Sequence, residues 1–210
     1  NDKAYAFPSV VRDSIRKLVM EYFDEEILEA RRELERLKHT TLETGIYVGD
    51  ELITFTNITL PQTKIHIYLP EQFIVMPDLV KDMKYPSKNA PDLIITSLDS
   101  MVNFGFNILS VSMEEGDTKV MSSQFQNALR NVNPSIKIKK QVNDVTTEHG
   151  NEMSWFDFKG YLIDGQNYNR MYLVKMRETV LHGIFNCPMQ FKDEWGEIAE
   201  KCFMSIEEEL

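Results

Sequence analysis

The chain has 210 residues, 42% of them hydrophobic and 27% charged, with a formal net charge of −10 at pH 7. That is enough apolar material for one sizeable core with an appendage, or for two small ones, and neither a disordered polymer nor a fibrous repeat fits. The acidic balance argues against nucleic acid as a partner, because binding a phosphate backbone requires clustered Lys and Arg.

Taken in chain order, residues Ser9 to His39 contain no Gly or Pro, and Pro8 precedes a Ser9 suited to an N-cap. The stretch predicts one long helix, or two separated by a kink. Met20, Phe23, Ile27, Ala30, Leu34 and Leu37 recur at three- and four-residue steps, a coiled-coil-like stripe. Glu29 and Arg32, Glu33 and Arg36, and Glu35 and Lys38 are spaced three apart on the more polar surface. A helix of about thirty residues reaches about 45 Å, longer than a small domain is wide, so part of the stripe calls for another partner. The bland alternative is a helix bent back onto its own domain.

Beyond His39 the period changes to two. "GIYVGDELITFTNITL" and "KIHIYLP" predict strands, with Ile65, Ile67 and Leu69 facing one way and Lys64, His66 and Tyr68 the other. "DLIITSLDSMVNFGFNILSV" reads as a hairpin turning at Asp99 and Ser100, with Val102, Phe104, Phe106 and Ile108 on the core face. The helix "DTKVMSSQFQNALRNV" is stopped at Pro134. Three strands are then expected in "SIKIKKQVNDV", "SWFDFKGYLID" and "RMYLVKMRETVLHGIFNC", the last broken near Glu178 and Thr179 by a turn or bulge, before a final helix from about Gln190 to Glu208. The pattern favours an antiparallel sheet with helices packed on it, an α+β sandwich.

Chemistry-bearing residues are sparse. Two cysteines without a CxxC or Cys/His ladder predict reduced, buried thiols. Cys202 lies in the apolar stripe of the last helix with Phe191, Trp195, Ile198, Phe203 and Ile206. Cys187 lies at a strand-to-helix junction, where a thiol pKa can fall, but His182 is five residues upstream and on the opposite face of a regular strand. Asp157 and Asp164 could pair as acid and base, although Asp157 reads as polar-face and Asp164 as a turn residue. There is no phosphate loop, GxSxG or HExxH. Eleven methionines predict mostly core filler, with a few exposed on one sheet face as an adaptable apolar surface.

The segments "KIHIYLPEQFIVMP", "KYPSKNAPDLIITSLDSMVNFGFNI" and "VLHGIFNCPMQFKDEWGEIAEKCFMSI" resemble the DcrB-like and PsbP-like α/β sandwich group over about residues 55–208. Gly183, Phe185 (displaced by Ile184), Cys187, Pro188, Trp195, Ser205 and Ile206 stand where that group has its closing strand and Trp-bearing helix. The resemblance implies a largely non-enzymatic protein, in a group of photosystem accessory proteins, Ran-binding import factors, envelope lipoproteins and chaperones. It implies no particular binding residue.

These readings lead to two expected units: residues 1–40, a long-helix appendage, and residues 41–210, an α+β sandwich. The expected function is non-catalytic: a bacterial-type binding, adaptor or chaperone-like protein presenting an apolar sheet face or the N-terminal helix to a protein partner or to a second copy. Met20, Phe23, Ile27, Leu34 and Leu37 are the expected contact residues. No cofactor, metal, nucleic acid or membrane-spanning segment is expected, and the acidic charge with reduced thiols points to the cytoplasm. Two alternatives stand: an enzyme centred on Cys187 or a carboxylate, and an envelope accessory protein whose anchor has been removed, since Asn1 is not an initiation residue.

Overall fold

A computed structural model describes residues 9–85, 90–162 and 165–209. Helix α1 spans Ser9–Arg36, and one further turn closes on it through Leu37 N–H to Glu33 O and His39 N–H to Arg36 O. A small sheet follows, made of β1 (Thr40–Thr41), β2 (Gly45–Val48) and β3 (Glu51–Ile53). Next come β4 (Phe55–Thr59), β5 (Ile65–Pro70), β6 (Ile74–Val75), the short helix α2 (Asp78–Lys84), β7 (Leu93–Thr96) and β8 (Asn103–Leu109). Helix α3 (Asp117–Val132) leads into β9 (Ile138–Thr146), β10 (Glu152–Leu162), β11 (Gly165–Lys175) and β12 (Val180–Pro188). A 3-10 turn at Met189–Phe191 opens α4 (Lys192–Met204), and β13 (Glu207–Glu208) closes the described chain.

The central sheet has seven antiparallel strands in the order β6-β7-β8-β12-β11-β10-β9. One face is covered by α4 and by the three-stranded sheet β13-β5-β4, and the other by α3. Because both faces are covered, β12 reads "VLHGIFNCP" with buried residues on both sides. Leu181, Phe185 and Cys187 join the α4 core, while Val180 and Ile184 pack with Phe125 of α3. The expected alternation holds: Ile65, Ile67 and Leu69 are buried, as are Val102, Phe104 and Phe106, and Ile108 is half-buried. The hairpin between β7 and β8 turns at Asp99 and Ser100, where Asp99 Oδ1 accepts from Ser97 Oγ and Met101 N–H and Ser100 has a φ of 60°.

The break expected near Glu178 and Thr179 is a turn: Met176 N–H bonds to Thr179 O and reverses the chain between β11 and β12. Two expectations need correction, and one helix was not anticipated. The last helix stops at Met204, not Glu208. Ser205 Oγ donates to Cys202 O and accepts from Tyr68 N–H, which turns the chain so that Glu207 and Glu208 pair with His66 and Ile65 on β5. The short helix α2 has no apolar period long enough to announce it. Asp157 is not on a polar face: it is buried beneath α4.

Gly183 fixes how closely α4 approaches. A Cβ built there would lie 2.1 Å from Phe203 Cε1, so only glycine lets the Phe203 ring lie flat on β12. The ring stacks on Tyr172 at 3.7 Å between centroids.

Candidate functional site

Of the residues expected at a partner contact, Met20, Phe23, Ile27 and Leu34 lie on α1 and Leu37 in the turn that follows it. Their exposure runs from 50% at Ile27 to 71% at Leu37, with Met20, Phe23 and Leu34 between, and none of them joins a core cluster of the sandwich. The helix does not fold back along this stripe. It contacts the body at its C-terminal end, where Arg36 Nη2 donates to Gly49 O at 2.6 Å and to Asp50 Oδ1 at 3.0 Å. The guanidinium also lies over the Tyr47 ring, and the His39 ring meets Tyr47 edge-on. The attachment at that end is polar, and the apolar stripe is exposed.

The other candidates are dispersed. The Cys187 thiol is fully buried on the α4 side of β12, and burial pushes its pKa up to about 12, the reverse of what a thiolate nucleophile requires. Burial also raises Cys202. His182 points to the α3 side, so the sheet separates it from Cys187. Asn107 Nδ2 donates to His182 Nδ1, which puts the neutral ring's proton on Nε2, a buried atom with no partner. Burial lowers the His182 pKa to about 4, so the ring is neutral.

Asp157 meets Arg170 instead of a second carboxylate, and Asp164 lies outside the described residues. Arg170 Nε donates to Asp157 Oδ1 at 2.6 Å, and Nη1 donates to Glu200 Oε2 at 2.9 Å and to Gly196 O at 3.2 Å. The guanidinium lies 3.9 Å from the Trp155 ring centroid. Register places Asp157 directly opposite Arg170 on the β10–β11 hairpin. Their interactions hold α4 to the sheet and leave Asp157 no free role as a base. Arg170 was absent from the sequence reading; a charged residue opposite Asp157 in a strand otherwise apolar was the available signal.

Glu152, on β10, caps α3 from outside the helix, accepting from Gly116 N–H at 2.8 Å and Thr118 N–H at 3.3 Å. Burial would raise its pKa, but the hydrogen bonds from Thr118 and Gly116 hold it below the ordinary carboxylate value. A polar hollow of about 640 Å³ next to it is lined by Asp144, Asn151, Lys175 and Arg177. A more apolar hollow of about 600 Å³ is lined by Ile53, Phe73, Leu98, Met101, Val102 and Trp195. The second hollow also takes in Ser97 and Asp99, whose hydroxyl–carboxylate bond is the one that shapes the β7–β8 turn. No group of three or more His, Cys, Asp or Glu among the described residues is placed to hold a metal ion, and no described helix is long and apolar enough to cross a membrane. Of the methionines, Met20, Met83 and Met101 are exposed, on α1, on α2 and at the β7–β8 turn, so they do not form the single sheet-face surface expected from the sequence.

No family model matches the chain, and no curated protein matches it in sequence. Solved structures do. The chain is similar to the cyanobacterial PsbP (CyanoP) of Synechocystis sp. PCC 6803, at a TM-score of 0.56 and 11% identity, covering 79% of this chain and 98% of that one. It is also similar to LpqN, a protein involved in cell envelope biogenesis of Mycobacterium tuberculosis, at a TM-score of 0.47 and 11% identity, covering 80% of this chain and 96% of that one. At such identity the likeness speaks to architecture, and CyanoP carries it: the chain has a PsbP-like α+β fold.

Proposed function

We propose that this is a non-catalytic binding protein in which the sandwich is a rigid body and α1 is the element that engages a protein partner. One observation carries the reading: Met20, Phe23, Ile27, Leu34 and Leu37 form a single apolar stripe, at least half exposed, on a helix attached to its body by polar contacts at one end. Leaving such side chains in water forfeits about 1.5 to 3 kcal/mol each relative to burial, and a contiguous stripe is a stronger signal than scattered apolar residues. The burial of both thiols and the commitment of Asp157 to Arg170 weigh against the competing Cys187 or carboxylate enzyme. As part of the same proposal the protein works in the cytoplasm, supported by its acidic charge and free thiols; an envelope site is the alternative.

The test is photo-crosslinking in the native host, with a photoreactive amino acid at Phe23 and, as control, at the exposed Val120 of α3. A discrete protein adduct at Phe23 and none at Val120 is expected. Absence of any adduct at Phe23 would remove α1 as the docking element.

A further inference from the structure

The α1 stripe can be assigned to a heptad. Met20, Ile27 and Leu34 take the first position, a, and Phe23, Ala30 and Leu37 the fourth, d, which form the seam of a two-stranded coiled coil. The flanking g position then carries Glu26 and Glu33, and the flanking e position carries Asp24, Arg31 and Lys38, all exposed. In a parallel, in-register pair, g of one helix faces e of the following heptad on the other. Glu26 meets Arg31 of the second copy, Glu33 meets Lys38 of the second copy, and two-fold symmetry repeats each contact. An antiparallel pair would face g with g and e with e, setting Glu26 against Glu33 and Lys17 against Lys38, which repel, with Asp24 against Arg31 as its one attractive pair. The charge pattern therefore selects both the partner and its direction.

The attachment of α1 to its body agrees with this geometry. Arg36 falls at position c and His39 at f, both on the outer surface of such a pair, and these are the residues that grip Gly49, Asp50 and Tyr47. The two sandwiches would lie on the outer flanks at the same end of the coil, clear of the seam. Leu37 and Lys38 lie in the turn just past Arg36, which the coil would draw into its last heptad, and Lys38 pairs with Glu35 of α1, with both side chains more than half exposed, so that it can exchange partners at little cost.

We infer that the occupant of the α1 stripe is a second copy of this chain, joined to the first as a parallel, in-register coiled coil. This rests on the docking reading above and names its partner. Light scattering over a range of concentrations should show a mass rising to twice that of the chain. E26K/E33K should weaken self-association at least tenfold, R31E/K38E should do the same, and mixing the two variants should restore it. These positions are exposed, so circular dichroism melts matching wild type will show that both variants fold.

Direction is read separately with Leu37→Cys. Cys187 and Cys202 are buried, so the introduced thiol is the accessible one. A disulfide between equivalent positions is expected in a parallel pair. In an antiparallel pair those positions lie about 25 Å apart, and Met20→Cys mixed with Leu37→Cys would cross-link instead. That result, a dimer indifferent to the charge reversals, or a monomer at every concentration overturns the inference. A monomer that still gives a Phe23 adduct to a different protein overturns the second copy alone and leaves the docking reading in place.

Discussion

Helices α1 and α4 carry the same kind of apolar spacing and meet opposite fates. On α4, Ile198, Cys202 and Phe203 are buried at 2%, 0% and 0% exposure, whereas the corresponding stripe on α1 lies in water. Local pattern does not separate them. What separates them is reach and a receptor: α4 has 13 residues and lies on the sheet, with Gly183 opening a notch for Phe203 and Arg170 bonding Gly196 and Glu200. Helix α1 has 28 residues, about 42 Å of helix, and a polar tether at one end. An amphipathic stripe specifies that a face will be covered, but the rest of the fold decides what covers it.

The sharpest break in the comparison is at Phe203. Truncation to Ala should remove about 3 to 5 kcal/mol, because the ring is fully buried, stacks on Tyr172 and fills the space left by Gly183. Chemical denaturation measures it, and a change below about 1 kcal/mol would mean that α4 does not lock to the sheet as described. Arg170→Leu should cost a comparable amount, about 3 to 5 kcal/mol, by leaving Asp157 buried and unpaired. The double variant Asp157→Asn with Arg170→Leu should recover part of that loss in the same titration, since it removes the stranded charge.

The α3 side of the sheet offers a smaller effect, read through pH. Burial holds the His182 pKa at about 4 against an ordinary 6.5, so the unfolded chain takes up the proton first. Its contribution to stability is complete above about pH 6.5 and is lost as pH falls toward 4. His182→Leu should flatten the decline in that window by about 1 to 3 kcal/mol relative to wild type. Identical slopes for the two proteins would show that the ring does not titrate as a buried neutral group.

The smallest expected effect is on α1. Ile27→Lys, Leu34→Lys and Leu37→Lys together should change the unfolding free energy of the sandwich, measured at concentrations where it is monomeric, by no more than about 0.5 kcal/mol. Cooperative loss of the whole domain would show that the stripe is core after all, and that α1 and α4 are the same kind of helix.

The sequence made the sandwich legible where period and burial coincide. Ile65, Ile67 and Leu69 alternate because β5 has one buried face, and Phe104 and Phe106 on β8 show the same regularity. It was ambiguous where both faces are covered. In β11 and β12 the apolar run is nearly continuous, so the turn at Arg177–Thr179 was hard to tell from a bulge. The end of α4 was illegible for another reason: Ser205 stops the helix through a bond to Tyr68, 137 positions away, which no local pattern encodes. Asp157 was misplaced because the residue that makes its burial tolerable lies on the neighbouring strand. The stripe of α1 was readable in full, but its occupant was not, because a helix face records its own chemistry and only the flanking charges address the other side.

Cys187 on β12 and Cys202 on α4 both point into the layer where that helix meets the sheet. Neither can be alkylated unless the layer parts, so the chain carries a native clock for its own opening. With a reagent in excess, the modification rate at Cys202 divided by the rate for the same thiol in denaturant gives the fraction of time α4 stands away from the sheet. Cys187 times the exposure of the strand beneath it. If the two rates coincide, helix and strand come apart in one event; if Cys202 runs ahead, the helix lifts first, and the molecule has a partly opened state with an exposed aromatic sheet that a chaperone or a protease would meet before the global unfolded chain.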